Sequence, residues 1–147
     1  MYKSLLALIA VALLGVAPEY ANTSFDSLQF RNIGPIPGRV DAVSGVAGDP
    51  ATYYAGGLGG LFKTSDGGIT WSSTLNNQPV SSVNAIAVAP SQPSTVYIAT
   101  GEANLRNDVA FGDGIWRSAD AGKTWTHAGL DAVGSIAGIA VDATNPD

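Results

Sequence analysis

Thr64-Ser65-Asp66-Gly67-Gly68-Ile69-Thr70-Trp71 is written a second time further along the chain, as Ser118-Ala119-Asp120-Ala121-Gly122-Lys123-Thr124-Trp125. Both copies fit one template: Ser/Thr, any residue, Asp, any, Gly, any, Thr, Trp. A short carboxylate at the third place can accept hydrogen bonds from backbone N–H groups just ahead of it, and a glycine at the fifth can take positive φ. The combination predicts a tight turn between two strands. Thr70-Trp71 and Thr124-Trp125 are expected to begin or continue the strand that follows, since β-branched and aromatic side chains suit a half-buried pleated surface. The turn residues are Thr64, Asp66, Gly68, Thr70 and Trp71 in the first copy and Ser118, Asp120, Gly122, Thr124 and Trp125 in the second. Their expected role is structural.

Around this turn a longer unit repeats. Val40–Val46 returns as Val83–Ala89 and again as Ile136–Asp142, and each is followed by a proline turn, Gly48-Asp49-Pro50, Ser91-Gln92-Pro93 and Thr144-Asn145-Pro146. After the first two turns comes an aromatic strand, Thr52–Ala55 and Thr95–Ala99. Third strands, Gly60–Thr64 and Gly114–Ser118, lead into the two turns, and fourth strands follow over Ile69–Ser73 and Lys123–His127. Four short antiparallel strands per unit match one blade of a β-propeller, an all-β ring usually closed by four to eight blades. The expected layout is a first blade over about 38–75, a second over about 80–128 and the start of a third over about 134–147. About two blades make an open fragment, and the remaining blades are expected in a longer parent. Phe25–Arg31 alternates like a strand and is expected to complete the last blade of a closed ring.

Residues 1–21 differ in kind. Lys3 gives a cationic start and Leu5–Val16 is an unbroken apolar run, shorter than a membrane span requires. This reads as a signal peptide cut after Ala21, so that the mature chain is 22–147 and secreted or periplasmic. An uncleaved signal is the one route to a membrane. The chain has no cysteine, so packing without disulfides must hold it together. Its net charge is −5 and its seven Lys and Arg are scattered, which leaves no basic stripe for a nucleic-acid backbone. No metal-ligand spacing is visible, no cofactor is expected, and the single histidine, His127, reads as a solvated loop residue.

The template resembles the Asp-box, or BNR, repeat of sialidases, xyloglucanases, sortilin (Vps10) ectodomains and photosystem assembly factors. The wider pattern, including Phe30–Pro35, Gly38-Arg39-Val40, Gly59–Lys63, Gln78–Val83 and Thr100–Asn107, resembles bacterial exported propellers of sortilin/Vps10 type, some labelled glycosyl hydrolases. That resemblance implies a module that binds a protein, peptide or carbohydrate. The alternative is a xyloglucanase-type glycoside hydrolase. Xyloglucanases carry a catalytic Asp in a Thr-Asp-Ile-Gly-Gly segment after the second strand of the first blade. The matching stretch here is Gly56–Gly60, with Gly57 in the place of that Asp, so one member of the carboxylate pair is missing. No catalytic residue is assigned.

In a meander, the turns between strands one and two and between strands three and four share one end, and the remaining connections share the other. The second unit is longer than the first between strands two and three. That insertion, Gly101–Asp113, is placed opposite the Asp-box turns, on a ligand-facing end. Its candidate contact residues are Glu102, Arg106, Asp108 and Asp113, with Phe111 beside them, and Arg39 enters from the same end. The other reading of the insertion is an ion pair that merely orders a long loop.

Overall fold

A computed structural model of the chain describes residues 34, 39–104 and 107–147. The chain divides after Arg31 into two compact units, and all of these residues belong to the second, Asn32–Asp147. The segment 1–21, the strand expected over Phe25–Arg31 and the candidate Arg106 lie outside the described residues.

Among the described residues, eight strands form two four-stranded antiparallel sheets. The first contains β1 (Val40–Val46), β2 (Asp49–Gly57), β3 (Gly60–Thr64) and β4 (Ser72–Ser73); the second contains β5 (Val83–Val88), β6 (Val96–Thr100), β7 (Ile115–Ser118) and β8 (Thr126–Gly129). Each sheet is a simple meander in chain order. Its residues are the β-branched and aromatic ones that pack well on a pleated surface.

Two differences from the expected strands have a local cause. The fourth strands start later, at Ser72 and Thr126 rather than Ile69 and Lys123. Thr70 and Thr124 direct their N–H groups to the Asp66 and Asp120 carboxylates, so these residues belong to the turn and not to a ladder. His127 consequently lies inside β8, not in a loop. Conversely, β2 begins at Asp49, and Pro50 sits near its first residue, where a missing N–H is tolerated. The third copy, Ile136–Asp142, forms no ladder; it runs along the second sheet, with its Ile136 N–H donating to the Thr100 carbonyl at 3.3 Å.

The core lies between the sheets. Tyr54 and Leu61 of the first sheet and Leu75 of the link pack with Val83, Val96, Ile98, Trp116 and Trp125 of the second. Burying side chains of this size stabilises by ~1.5–3 kcal/mol each. Close approach requires Gly56, because a Cβ there would run into the Val83 side chain. The opposite face of the first sheet is open: Val43 is 65% exposed and Val40 41%. With Tyr53, Ala55 and Trp71 they line an apolar groove of about 440 Å³.

Candidate functional site

The two repeated turns, named Asp-box turns for their resemblance, are fixed by their own side chains. In the first, the Thr64 hydroxyl donates to Asp66 Oδ1 at 2.7 Å and accepts the Gly68 N–H at 3.0 Å, while Asp66 accepts the Thr70 N–H at 2.9 Å and the Thr70 hydroxyl at 2.6 Å. The second turn repeats this with Ser118, Asp120, Gly122 and Thr124, at 2.8, 2.8, 2.8 and 2.6 Å. Gly68 and Gly122 take φ of 88° and 86°. Hydrogen bonds from the Thr70 hydroxyl, the Thr70 N–H and the Thr64 hydroxyl lower the Asp66 pKa to about 2. Those from Thr124 and Ser118 depress Asp120 in the same way.

Backbone bonds place each turn at one end of its sheet. The Gly67 N–H donates to the Ala51 carbonyl at 2.9 Å and the Ala121 N–H to the Ser94 carbonyl at 2.8 Å, so the first Asp-box turn is stitched to the start of β2 and the second to the connection between β5 and β6. The other end holds the Gly59 N–H bonded to Ser81 O, the Gly101 N–H bonded to Ser82 O, and the loop 101–114.

At that loop end a polar network joins the sheets. Glu102 Oε1 accepts Arg39 Nη2 at 2.5 Å, Glu102 Oε2 accepts the Ala110 N–H at 2.7 Å, and the Glu102 N–H donates to Ala110 O at 2.9 Å. Arg39 Nε donates to Asp41 Oδ1 at 2.9 Å, and Asn104 Nδ2 reaches the same oxygen at 2.9 Å. The Glu102 side chain is fully enclosed, while Arg39 stays 43% exposed. Glu102 therefore braces the loop base across its width and does not face solvent.

The other candidates separate. Asp113 leaves the Arg39 network: its N–H donates to Thr100 Oγ1 at 2.6 Å, and its carbonyl oxygen lies 2.6 Å from His127 Nε2. His127 also lies 3.1 Å from Asp131 and stacks edge-on against Trp116 at 5.1 Å. Asp108 is exposed on the loop, beside Val109 and the 79%-exposed Phe111. Asp41 and Asn104 escaped the sequence reading, although Asp41 stands two residues from Arg39 on the same approach to β1.

Gly57, the position matched to the xyloglucanase Asp, has no room for any side chain. A Cβ there would collide with the Arg39 carbonyl oxygen. At the Asp-box end, a groove of about 530 Å³ is lined by Asn76, Asn77, Gln78, Lys63, Lys123 and Trp125. Its Lys63 ammonium is committed to the Ala121 carbonyl at 2.9 Å, and burial, then the nearby Lys123, lower its pKa.

No protein-family model and no curated protein matches the chain. Solved structures do. An ancestral GH74 enzyme aligns over 66% of this chain and 13% of its own, at 23% identity and a TM-score of 0.53. YCF48 bound to D1 peptide aligns over 78% of this chain and 36% of its own, at 18% identity and a TM-score of 0.51. A GH74 xyloglucanase from Xanthomonas campestris aligns over 67% of this chain and 15% of its own, at 20% identity and a TM-score of 0.49. The chain folds as two open blades of a β-propeller. Blade one is the sheet β1–β4 and blade two the sheet β5–β8, and together they span a small part of the length of the GH74 enzymes. At these identities the likeness is one of fold.

Proposed function

We propose that the chain is an exported propeller module, of the sortilin-like kind its sequence resembles, that binds a polypeptide ligand through the β6–β7 loop. The observation that carries this reading is a braced loop base with an exposed aromatic side chain, Phe111, directly beside it. Glu102 holds the base through Arg39 and the Ala110 N–H, while Phe111 stands 79% exposed beside exposed Val109 and Asp108. A side chain on a braced loop base loses little conformational freedom on binding, and an aromatic side chain is a frequent anchor at protein interfaces. Export rests on Lys3 and the apolar run Leu5–Val16. The glycoside hydrolase alternative loses support at Gly57, where a catalytic carboxylate cannot be accommodated.

The test is selection of displayed peptides on the immobilised chain, followed by affinity measurement on wild type and Phe111→Ala. The expected result is a loss of about tenfold or more in affinity for Phe111→Ala, the usual cost of truncating an aromatic anchor, with an unchanged melting midpoint. Selected peptides that bind Phe111→Ala as well as wild type would overturn the reading.

A further inference from the structure

The two blades are clasped at the Asp-box end by two donors on one carbonyl. The Tyr54 hydroxyl donates to Ala121 O at 3.0 Å and the Lys63 ammonium to the same oxygen at 2.9 Å. Tyr54 and Lys63 are register partners on β2 and β3, with the ammonium 5.3 Å from the ring centre. Ala121 is the residue before the glycine of the second Asp-box. Its own N–H is tied to Ser94 O, just after the proline turn.

Blade two carries the same donor pair on its other face. Tyr97 and Arg117 are register partners on β6 and β7, with the guanidinium 5.8 Å from the ring centre. Val96 and Ile98, flanking Tyr97, face the core shared with blade one, so Tyr97 points away from it. Arg117 Nε donates to the Tyr97 hydroxyl at 3.0 Å, that hydroxyl donates to Pro146 O at 3.0 Å, and Arg117 Nη2 pairs with the Asp147 carboxylate. In the repeat alignment Pro146 and Asp147 stand where Pro93 and Ser94 stand in blade two. Asp147 thus occupies the place whose carbonyl receives an Asp-box turn. Ile136, aligned with Val83, is already seated on this face through Thr100 O and the Asn84 side chain.

We infer that Tyr97 and Arg117 form the docking point for the Asp-box turn of a third blade, one whose first strand is 136–142, and that they recognise the carbonyl of the residue preceding that turn's glycine. The basis is equivalence within one molecule: a tyrosine and a cation in the same register already hold such a carbonyl between blades one and two. The exchange of Lys63 for Arg117 keeps the positive charge and adds a second donor edge, which the Tyr97 hydroxyl takes.

The test extends the full chain after Asp147 with a second copy of its own residues 95–130. The expected result is one cooperative melt with a midpoint above that of the unextended chain. Arg117→Ala and Tyr97→Phe should then lower the midpoint of the extended chain by more than that of the unextended one, and Arg117→Lys, which reproduces Lys63, should retain it. An added segment that stays protease-sensitive or melts separately would overturn the inference. Equal shifts in the extended and unextended chains would do the same, by showing that the pair holds only Pro146 and Asp147.

Discussion

Arg39 and Glu102 are 63 residues apart in the chain and 2.5 Å apart in space, Nη2 to Oε1. Arg39 precedes the first strand of blade one, and Glu102 opens the long loop of blade two. Their pair closes the inter-blade seam at the loop end, as Tyr54 and Lys63 close it on Ala121 O at the Asp-box end. The seam is thereby held at two separated points, with the apolar core between them.

Removing Glu102 should loosen the loop and the seam together. Glu102→Ala leaves the Ala110 N–H and one Arg39 edge without their acceptor, at a cost of ~1–3 kcal/mol. Arg39→Ala should also destabilise, because it removes the 2.5 Å ion pair to an enclosed carboxylate. Thermal melts of both variants and of the double variant measure this. A double-variant loss equal to the sum of the singles would show that the two do not act as a pair.

The Asp-box carboxylates set the acid limit of the fold. Asp66 titrates at about 2 in the folded chain, against 3.8 without its hydrogen bonds, and Asp120 is also depressed. A depressed folded pKa means that the unfolded chain takes up the proton first. The stabilisation is therefore complete above about pH 4 and is lost as pH falls through about 2. The melting midpoint should drop across that window, and Asp66→Asn combined with Asp120→Asn should flatten the drop. A pH profile identical to wild type would separate these carboxylates from acid stability.

Introducing an Asp at the position matched to that of xyloglucanases should fail on steric grounds. Gly57→Asp places a Cβ against the Arg39 carbonyl, so β1 must shift, and overpacking of this kind costs ~1–3 kcal/mol or more. Circular dichroism melts of Gly57→Asp and Gly57→Ala should both show the loss, since the first added carbon already collides. A Gly57→Asp chain as stable as wild type would mean that this backbone contact is not maintained.

The two Asp-boxes differ at one backbone position in a measurable way. Ala121 adopts φ of 58°, and its counterpart Gly67 adopts 69° with open space where a Cβ would lie. Gly67→Ala should therefore cost about 1–2 kcal/mol from backbone strain alone. Ala121→Gly should relieve that strain while raising the entropy of the unfolded chain, and so change stability by less than ~1 kcal/mol. Denaturant midpoints of the two variants test the asymmetry; equal and opposite shifts would contradict it.

Export should leave Asn22 as the first residue of the mature chain. Amino-terminal sequencing of material secreted from a bacterial host tests this, and a soluble pool retaining Met1 would contradict it.

The amino-acid sequence by itself determined the unit of architecture. Asp66 and Asp120, with their Ser/Thr, Gly and Thr partners, act over four residues or fewer, so a local motif suffices to specify each turn and to mark the third and fourth strands on either side. Val40–Val46 and Gly60–Thr64 were legible for the same reason, as short β-branched and aromatic runs between turn residues. The late start of β4 and β8 was not, because the Thr and Trp that look like strand residues spend their N–H groups and packing on the turn. The Tyr and cation pair of each blade left a readable signal, a Tyr in the aromatic strand and a Lys or Arg just before each Asp-box. Its meaning was hidden until the register set Tyr54 beside Lys63 and both against Ala121 of the next blade. The surroundings of the candidate residues were set by tertiary structure. The extra length between the second and third strands placed Glu102 in a loop on the ligand-facing end, whereas the fold encloses its side chain against Arg39 and the Ala110 N–H. Charge pairing across 63 residues and the enclosure of a carboxylate depend on how two sheets stack, and no local spacing encodes that.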